Sequence, residues 1–432
     1  MEKFFKFKEL GTDIRTEIIA GLTTFFTMSY IIIVNPNVLG AAGFPYEASI
    51  TATILAGFIG CMLIGFYANK PFTIAPYVGE AAFASYTVVL TLGFKWQSVV
   101  TAIFLSALLL FVLTLLKIRP WLANSLPKTL KLAFTAGLGL FLIFIGLRES
   151  GMVTFTKDTI PLSVGNFYNP TVLLSLFGLV LTAILMHKRI KGAILIGIVA
   201  TTFLGFFFAG LSLPTSIISM PPSLAPLLFQ FDFSSVFNIK FLPIFFIIFL
   251  LIYIDTMGCM IGLFYKANLL DKDGNLPDIQ KPMLCDSLTT MAAASMGTVT
   301  SGVYLESVTG IQAGGKSGFT SVITGLLFLL ALFFAPLFTM IPPYAYAPAI
   351  IIVGMLIFSV IGQIDFEDMT EYVPALLIIG TMSFANNIGI GMTLGFIVYP
   401  VIKVLTGRKS ETNIAMWILA ALSVGFFLVY PY

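Results

Sequence analysis

Apolar runs of about twenty residues recur from one end of this chain to the other, and few architectures tolerate that pattern. A run of this length is what a helix needs to cross the hydrocarbon core of a bilayer. Inside a membrane every backbone N–H and C=O must be satisfied within the protein, so only helices and closed barrels span it. The residues are 58% hydrophobic and only 10% charged, against about 25% charged in soluble domains. A large soluble core is excluded, because too little polar sequence remains to cover one. The sequence predicts an all-α polytopic membrane protein of about fourteen transmembrane segments.

The expected spans of the first half run at about 17–39, 47–67, 74–92, 97–117, 129–148, 170–187 and 191–210. Those of the second half run at about 241–266, 281–297, 298–314, 317–341, 346–361, 370–386 and 389–406. A last apolar run at about 413–430 is either a further span or a segment lying in the interface. With a cytoplasmic amino terminus, the inner segments hold nineteen lysines and arginines, and the outer ones only Lys95, Arg148, Lys157 and Lys240. Positive charge collects on the cytoplasmic side of membrane proteins, so the imbalance supports this orientation and the span count. The first apolar run lacks a cleavage-site pattern and reads as a retained span.

Two spans are interrupted in the same way. Thr73-Ile-Ala-Pro-Tyr-Val-Gly-Glu80 and Thr298-Val-Thr-Ser-Gly-Val-Tyr-Leu-Glu306 are polar, strand-like runs that end in a carboxylate. Each lies in the third span of a group of four, and each group is followed by three more. Seven spans per half is an odd number, so the second half enters from the opposite side and the chain is a 7+7 inverted repeat. Short strands are expected in spans 3 and 10. Broken spans at matching places are the best sequence pointer to a transporter's binding site.

The acids inside the spans carry the chemistry. An intramembrane carboxylate is costly and therefore functional by default. Asp255 lies half-way along the eighth span, with Gly258 and Gly262 on its helix face as a close-packing pair, so it faces protein. Glu306 opens a helix after non-helical backbone, where free amides suit an ionised carboxylate or a ligand acceptor. Glu80 is read as its first-half counterpart, and a plain helix-start role also explains an acid there. Thr23, Thr27 and Tyr30 share a face of the first span; such hydroxyls more often bond backbone or a neighbouring helix.

Three other signals lead elsewhere. Gly310-Ile-Gln-Ala-Gly-Gly-Lys-Ser317 fits the P-loop pattern by letter but lacks the strand and soluble α/β context that nucleotide binding needs. Lys316 reads instead as a positive-inside anchor. Asp271-Lys-Asp-Gly-Asn275 starts like a calcium loop but has Pro282 where the twelfth-position glutamate belongs. His187 borders a basic cluster and reads as interfacial. Cys61, Cys259 and Cys285 give neither a disulfide framework nor a metal-ligand spacing. No cofactor and no metal site is expected.

Several segments together match one family. GLTTFFTMSYIIIVNP at 21–36, IDTMG at 254–258, KANLLDKDGNLP at 266–277, YLESVTGI at 304–311 and APAIIIVG at 347–354 resemble the AzgA-like branch of the nucleobase–cation symporters, the hypoxanthine/guanine/adenine permeases. The resemblance implies a core domain of spans 1–4 and 8–11 and a gate domain of spans 5–7 and 12–14. In this chain those would be residues 1–127 and 240–343, and 128–239 and 344–432. It implies substrate held between the half-helices of spans 3 and 10, with Glu306 at the family's substrate glutamate and Asp255 at its eighth-span acid. Gly79 matches the glycine of the third-span motif. The branch usually reads Gly-x-Asn-Ala there, whereas this chain reads Gly79-Glu80-Ala81-Ala82, so Ala81 replaces an amide that can bond a base edge.

The resulting expectation is a proton-coupled importer of purine nucleobases in the cytoplasmic membrane, not an enzyme, with a proton or other cation as co-substrate and a homodimer as its assembly. Purine N–H groups suit a carboxylate acceptor, and their flat faces suit aromatics. The expected substrate-binding residues are Glu306, Asp255, Glu80, Phe83, Thr27, Tyr304, Ser307 and Gly79, with Asp255 and Glu306 also serving proton coupling. Competing readings are a uracil or xanthine permease, a sulfate-permease-like anion transporter, a membrane ATPase using the P-loop-like stretch, and a non-transporting receptor. Two acids at the site argue against an anion as substrate.

Overall fold

The computed structural model describes residues 2–117, 127–155, 162–212, 216–238, 241–267, 269, 278–385 and 388–429. The calcium-like loop at 271–275, the side chains of Gly258 and Gly262, and with them the close-packing reading of that helix face, lie outside the described residues.

The first half runs through α1 (Phe7–Leu10), α2 (Ile14–Met28), α3 (Ile31–Gly40), α4 (Tyr46–Leu63), β1 (Ile74–Pro76), α5 (Val78–Ala82), α6 (Trp96–Leu115), α7 (Lys128–Glu149), the strands β2 (Val153–Phe155) and β3 (Leu162–Val164), α8 (Pro170–His187) and α9 (Ala193–Phe208). The second runs through α10 (Phe241–Lys266), α11 (Gln280–Ser295), β4 (Ser301–Val303), α12 (Ser307–Gln312), α13 (Gly318–Ala331), α14 (Ala335–Thr339), α15 (Pro343–Phe358), α16 (Met369–Phe384), α17 (Ile388–Leu405) and α18 (Ile414–Val429). Seven of the described helical segments are long and apolar enough to cross a bilayer, and six further described segments are shorter apolar helices. The protein is an all-α membrane protein with short strands in the third and tenth spans.

Local sequence sets the breaks. The first span divides at Ser29-Tyr30 into α2 and α3, so Tyr30 sits at mid-span rather than on a continuous helix. Asp13 starts α2 by accepting from Thr16 N–H at 2.8 Å. Pro76 has no N–H to donate, which suits the last residue of a short strand. After α5 the third span widens into a π-helical stretch over Phe83–Thr91, a distortion common at functional sites.

The helices pack in two groups. In one, α4 contacts α3, α11 and α13, α6 contacts α10 and α11, and α2 contacts α12 and α13. In the other, α7 contacts α15 and α16, α8 contacts α9 and α15, and α16 contacts α17. The run at 413–430 forms α18, which lies along α17 and leaves Trp417, Ile418 and Leu422 exposed.

Two charged clusters pin the ends of these groups. Lys403, fully buried on α17, reaches Glu371 at 2.5 Å and Glu411 at 2.8 Å. Arg408 pairs with Asp368 and Glu411 beside it, and hydrogen bonds from Thr370 and Arg408 hold the Asp368 carboxyl below the usual carboxylate range. At the other cluster, fully buried Glu17 on α2 accepts at the start of α13. Its donors are Lys316 N–H at 2.9 Å, Ser317 Oγ–H at 2.8 Å, Thr320 Oγ1–H at 2.6 Å and the Ser317 and Thr320 amides. The P-loop-like stretch therefore ends in a helix start already occupied by the protein's own carboxylate, the ligand such an end favours. Lys316 turns away and donates to Gly11 O at 3.2 Å.

Replacing Glu17 with alanine leaves those buried donors without an acceptor and should lower stability by roughly 3 kcal/mol. Glu9→Ala, which removes only an exposed ion pair with Lys6, should change it by less than about 1 kcal/mol. Thermal unfolding of the detergent-solubilised protein compares the two; equal midpoints would contradict the capping role.

Candidate functional site

The site is built on the pairing of the two interrupted spans. β1 and β4 are antiparallel, with Ala75 opposite Gly302 at the centre. Beyond the strands, Tyr77 N–H donates to Thr300 O and Tyr304 N–H to Thr73 O, each at 2.9 Å. The tyrosine hydroxyls cross over as well: Tyr77 donates to Val303 O at 2.9 Å and Tyr304 to Pro76 O at 2.5 Å. Their rings stack at 5.6 Å and 18°. Gly302 is required beneath them, since a Cβ there would stand 2.4 Å from the Tyr77 ring. This set of bonds is two-fold symmetric about the Ala75–Gly302 pair.

The symmetry corrects one expectation. Counting equally from the central pair, Tyr77 answers Tyr304, Gly79 answers Glu306, and Glu80 answers Ser307. Glu80 is thus one residue out of step with Glu306 and is not its counterpart. It lies in the first turn of α5, where an acid suits the helix dipole.

Two carboxyl pairings result, each joining an interrupted span to a continuous one. Glu306 Oε1 accepts from the Tyr30 hydroxyl at 2.8 Å, linking the tenth span to the first. The Glu306 side chain makes no capping bond to α12; the free amides expected to hold it are replaced by the phenol. Glu80 is 4% exposed, and its carboxyl meets that of Asp255 on α10 within hydrogen-bonding reach, linking the third span to the eighth. Among the described residues, neither Glu80 oxygen has a hydrogen-bond donor. Glu306 and Asp255 are both half-buried.

The other expected residues divide between positioning and lining. Thr27 donates to Thr23 O at 2.8 Å and accepts from Thr309 Oγ1 at 3.3 Å, fixing α2 against α12. Ser307, fully buried, accepts from Thr73 N–H at 3.0 Å and contacts its hydroxyl at 2.8 Å. Tyr304 is committed to the strand brace through both its ring and its hydroxyl. A Cβ on Gly79 would lie 2.7 Å from Leu138 Cδ2, so this glycine sets the approach of α5 to α7. Phe83 lines a cavity of about 10 Å³ with Glu80, Ala84, Ile103, Ile248, Leu251 and Thr300, which is room for about one water.

Sequence reasoning passed over Tyr77, Thr300 and Asp286. Tyr77 was legible as the tyrosine shared by both interrupted runs. Asp286 on α11 is fully buried and accepts from Thr256 Oγ1 at 3.1 Å, another intramembrane acid of the kind that marks function. Asn35, in the first span, donates to Thr53 Oγ1 at 2.8 Å and Thr298 Oγ1 at 3.1 Å, holding the residue that opens the second interrupted run.

Comparison with known proteins agrees with this architecture. The chain is 38% identical to adenine permease AdeQ of Escherichia coli, covering 98% of this chain and 95% of that one. It is also 38% identical to guanine/hypoxanthine permease PbuG of Bacillus subtilis, over 99% of each. Among solved structures, the transmembrane domain of the cyanobacterial bicarbonate transporter BicA superposes with a TM-score of 0.64 at 16% identity, over 88% of this chain and 97% of that one. That likeness is of fold, the inverted repeat of membrane transporters. The sequence pattern of the Permease family (Xan_ur_permease) matches residues 15–402, and the protein is a member of that family, a membrane permease and not an enzyme.

Proposed function

We propose that the protein is a secondary active transporter that imports purine nucleobases across the cytoplasmic membrane by proton symport with alternating access. Likeness over nearly the whole chain to permeases named for adenine and for guanine and hypoxanthine is the observation that carries this reading. The geometry supplies chemistry that fits. A carboxylate accepts from ring N–H groups, and Glu306 offers one at the meeting of two half-helices, oriented by Tyr30. Glu306 is assigned to the substrate, and Asp255 to the proton.

The two packed groups suit a division of labour. Residues 1–127 and 240–343 form the core that holds the site, and 128–239 and 344–432 form the gate it moves against, with Gly79 at their close approach to Leu138. The amino terminus faces the cytoplasm, on the strength of the lysine and arginine distribution. The anion-transporter reading gains fold likeness from BicA, but Glu306, Asp255 and Glu80 converge where an anion would sit and would repel it.

Uptake of radiolabelled adenine, guanine and hypoxanthine in cells lacking their own purine permeases, with and without a proton uncoupler, tests the reading. No uptake of any of the three would end it. Glu306→Gln should abolish accumulation, because an amide presents an N–H where the base needs an acceptor; normal transport would overturn the site assignment. Tyr30→Phe should keep transport but raise the apparent Km about tenfold, as expected for losing about 1.5 kcal/mol of hydrogen bonding to a charged group.

A further inference from the structure

Glu80 is the most anomalous polar side chain in the molecule. It is 4% exposed, neither carboxyl oxygen has a donor among the described residues, and the residue lines the small cavity beside Phe83. Thr300, 1% exposed on the opposite interrupted span, lines the same cavity, and its hydroxyl also lacks a partner. Buried polar atoms are rarely left so. A cavity of about 10 Å³ accepts about one water, which can bond both groups. The remaining contact of Glu80 is the Asp255 carboxyl. Among the described residues, the other titratable groups facing this pair are Tyr77, Tyr304, Cys259 and Asp286, none of them a cation.

Two carboxylates in contact cannot both be charged in such a place, and a hydrogen bond between them needs a proton. We propose that Glu80 and Asp255 form one proton-binding unit, with a water held between Glu80 and Thr300, and that this unit carries the proton coupled to transport while Glu306 serves the substrate alone. The inference rests on the transport reading above and makes it more specific. A proton from water binds one carboxylate as an O–H and bridges to the other; the pair then holds one negative charge and the site can close. Release reverses this: the O–H breaks, the proton goes to water, and the doubly charged pair persists only while water reaches it. A site that holds base and excludes water therefore resists closure while the pair is unprotonated, so base does not cross without its proton.

The pair acts in a way neither acid could alone. Asp255 by itself would be a half-buried carboxylate open to water. Glu80 by itself would be a buried one with no route out. In contact, the first gives access and the second makes protonation a condition of burial.

The test is the ratio of protons to purine entering proteoliposomes, read with a trapped pH dye and radiolabelled base. Glu80→Gln places a permanent N–H donor against Asp255 and removes the need for a proton. The ratio should fall from about one to near zero, and a pH gradient should no longer drive accumulation. A merely structural role would lower both fluxes together and leave the ratio unchanged, which would overturn the proposal. Accumulation driven by a sodium gradient and not by a pH gradient in the wild type would overturn it too. If Glu80→Gln does not fold, infrared spectroscopy of the wild-type protein decides: a protonated-carboxyl band that shifts in D2O is expected at neutral pH, and its absence refutes the pair. Wild-type vesicles that take up no purine would instead refute the transport reading, whereas uptake with an unchanged ratio in Glu80→Gln refutes this inference alone.

Discussion

Non-helical backbone at the depth of a bilayer has no water to bond to, and each orphaned group there costs several kcal/mol. This protein carries two such stretches, and each is the solution to the other. β1 pairs with β4, the tyrosines that follow both strands close the Val303 and Pro76 carbonyls, and Cys61 and Thr290 bond the Ile74 and Ser301 carbonyls. Everything at the site hangs from that pairing. It aims Glu306 at Tyr30 and Glu80 at Asp255, it buries Ser307 against Thr73, and it requires Gly302 where the Tyr77 ring passes.

The inverted repeat makes the scaffold symmetric, and the side chains break that symmetry. A phenol answers the acid of the tenth span; a second acid answers the acid of the third. One pairing leaves a carboxylate that can accept from a ligand. The other leaves a carboxyl pair that cannot be fully ionised while buried. A single architectural element, used twice in opposite orientation, thereby holds two kinds of chemistry.

Much of this was legible in the sequence, because the bilayer imposes hard rules on it. Run length gave the spans, and the two polar interruptions, with Asp255 between them, marked the candidate site. What could not be read was partnership. The pairing of Glu306 with Tyr30 depends on a break in the first span at Ser29-Tyr30 that carries no glycine or proline at that point. The meeting of Glu80 with Asp255 depends on strand register, which puts Glu80 one residue out of step with the Glu306 it was matched to in the sequence. Glu17 was invisible for a related reason. It looked like one charge in a charged amino terminus, and only the fold brings it to the start of α13 to fill the end of a P-loop-like motif.

The β1–β4 pairing also bears on how the protein is made. Its two strands lie more than half the chain apart, and the first is synthesised and inserted long before the second exists. Until β4 arrives, β1 and its proline sit in a span that cannot satisfy its own backbone. The first half is therefore not a finished membrane domain, and its third segment must wait in contact with water, the insertion machinery or another chain. Biogenesis of this permease thus has an obligatory late step, the docking of the tenth span onto the third, and lesions at Gly302 or Tyr304 are expected to expose the chain to quality control rather than to yield a folded but inactive carrier.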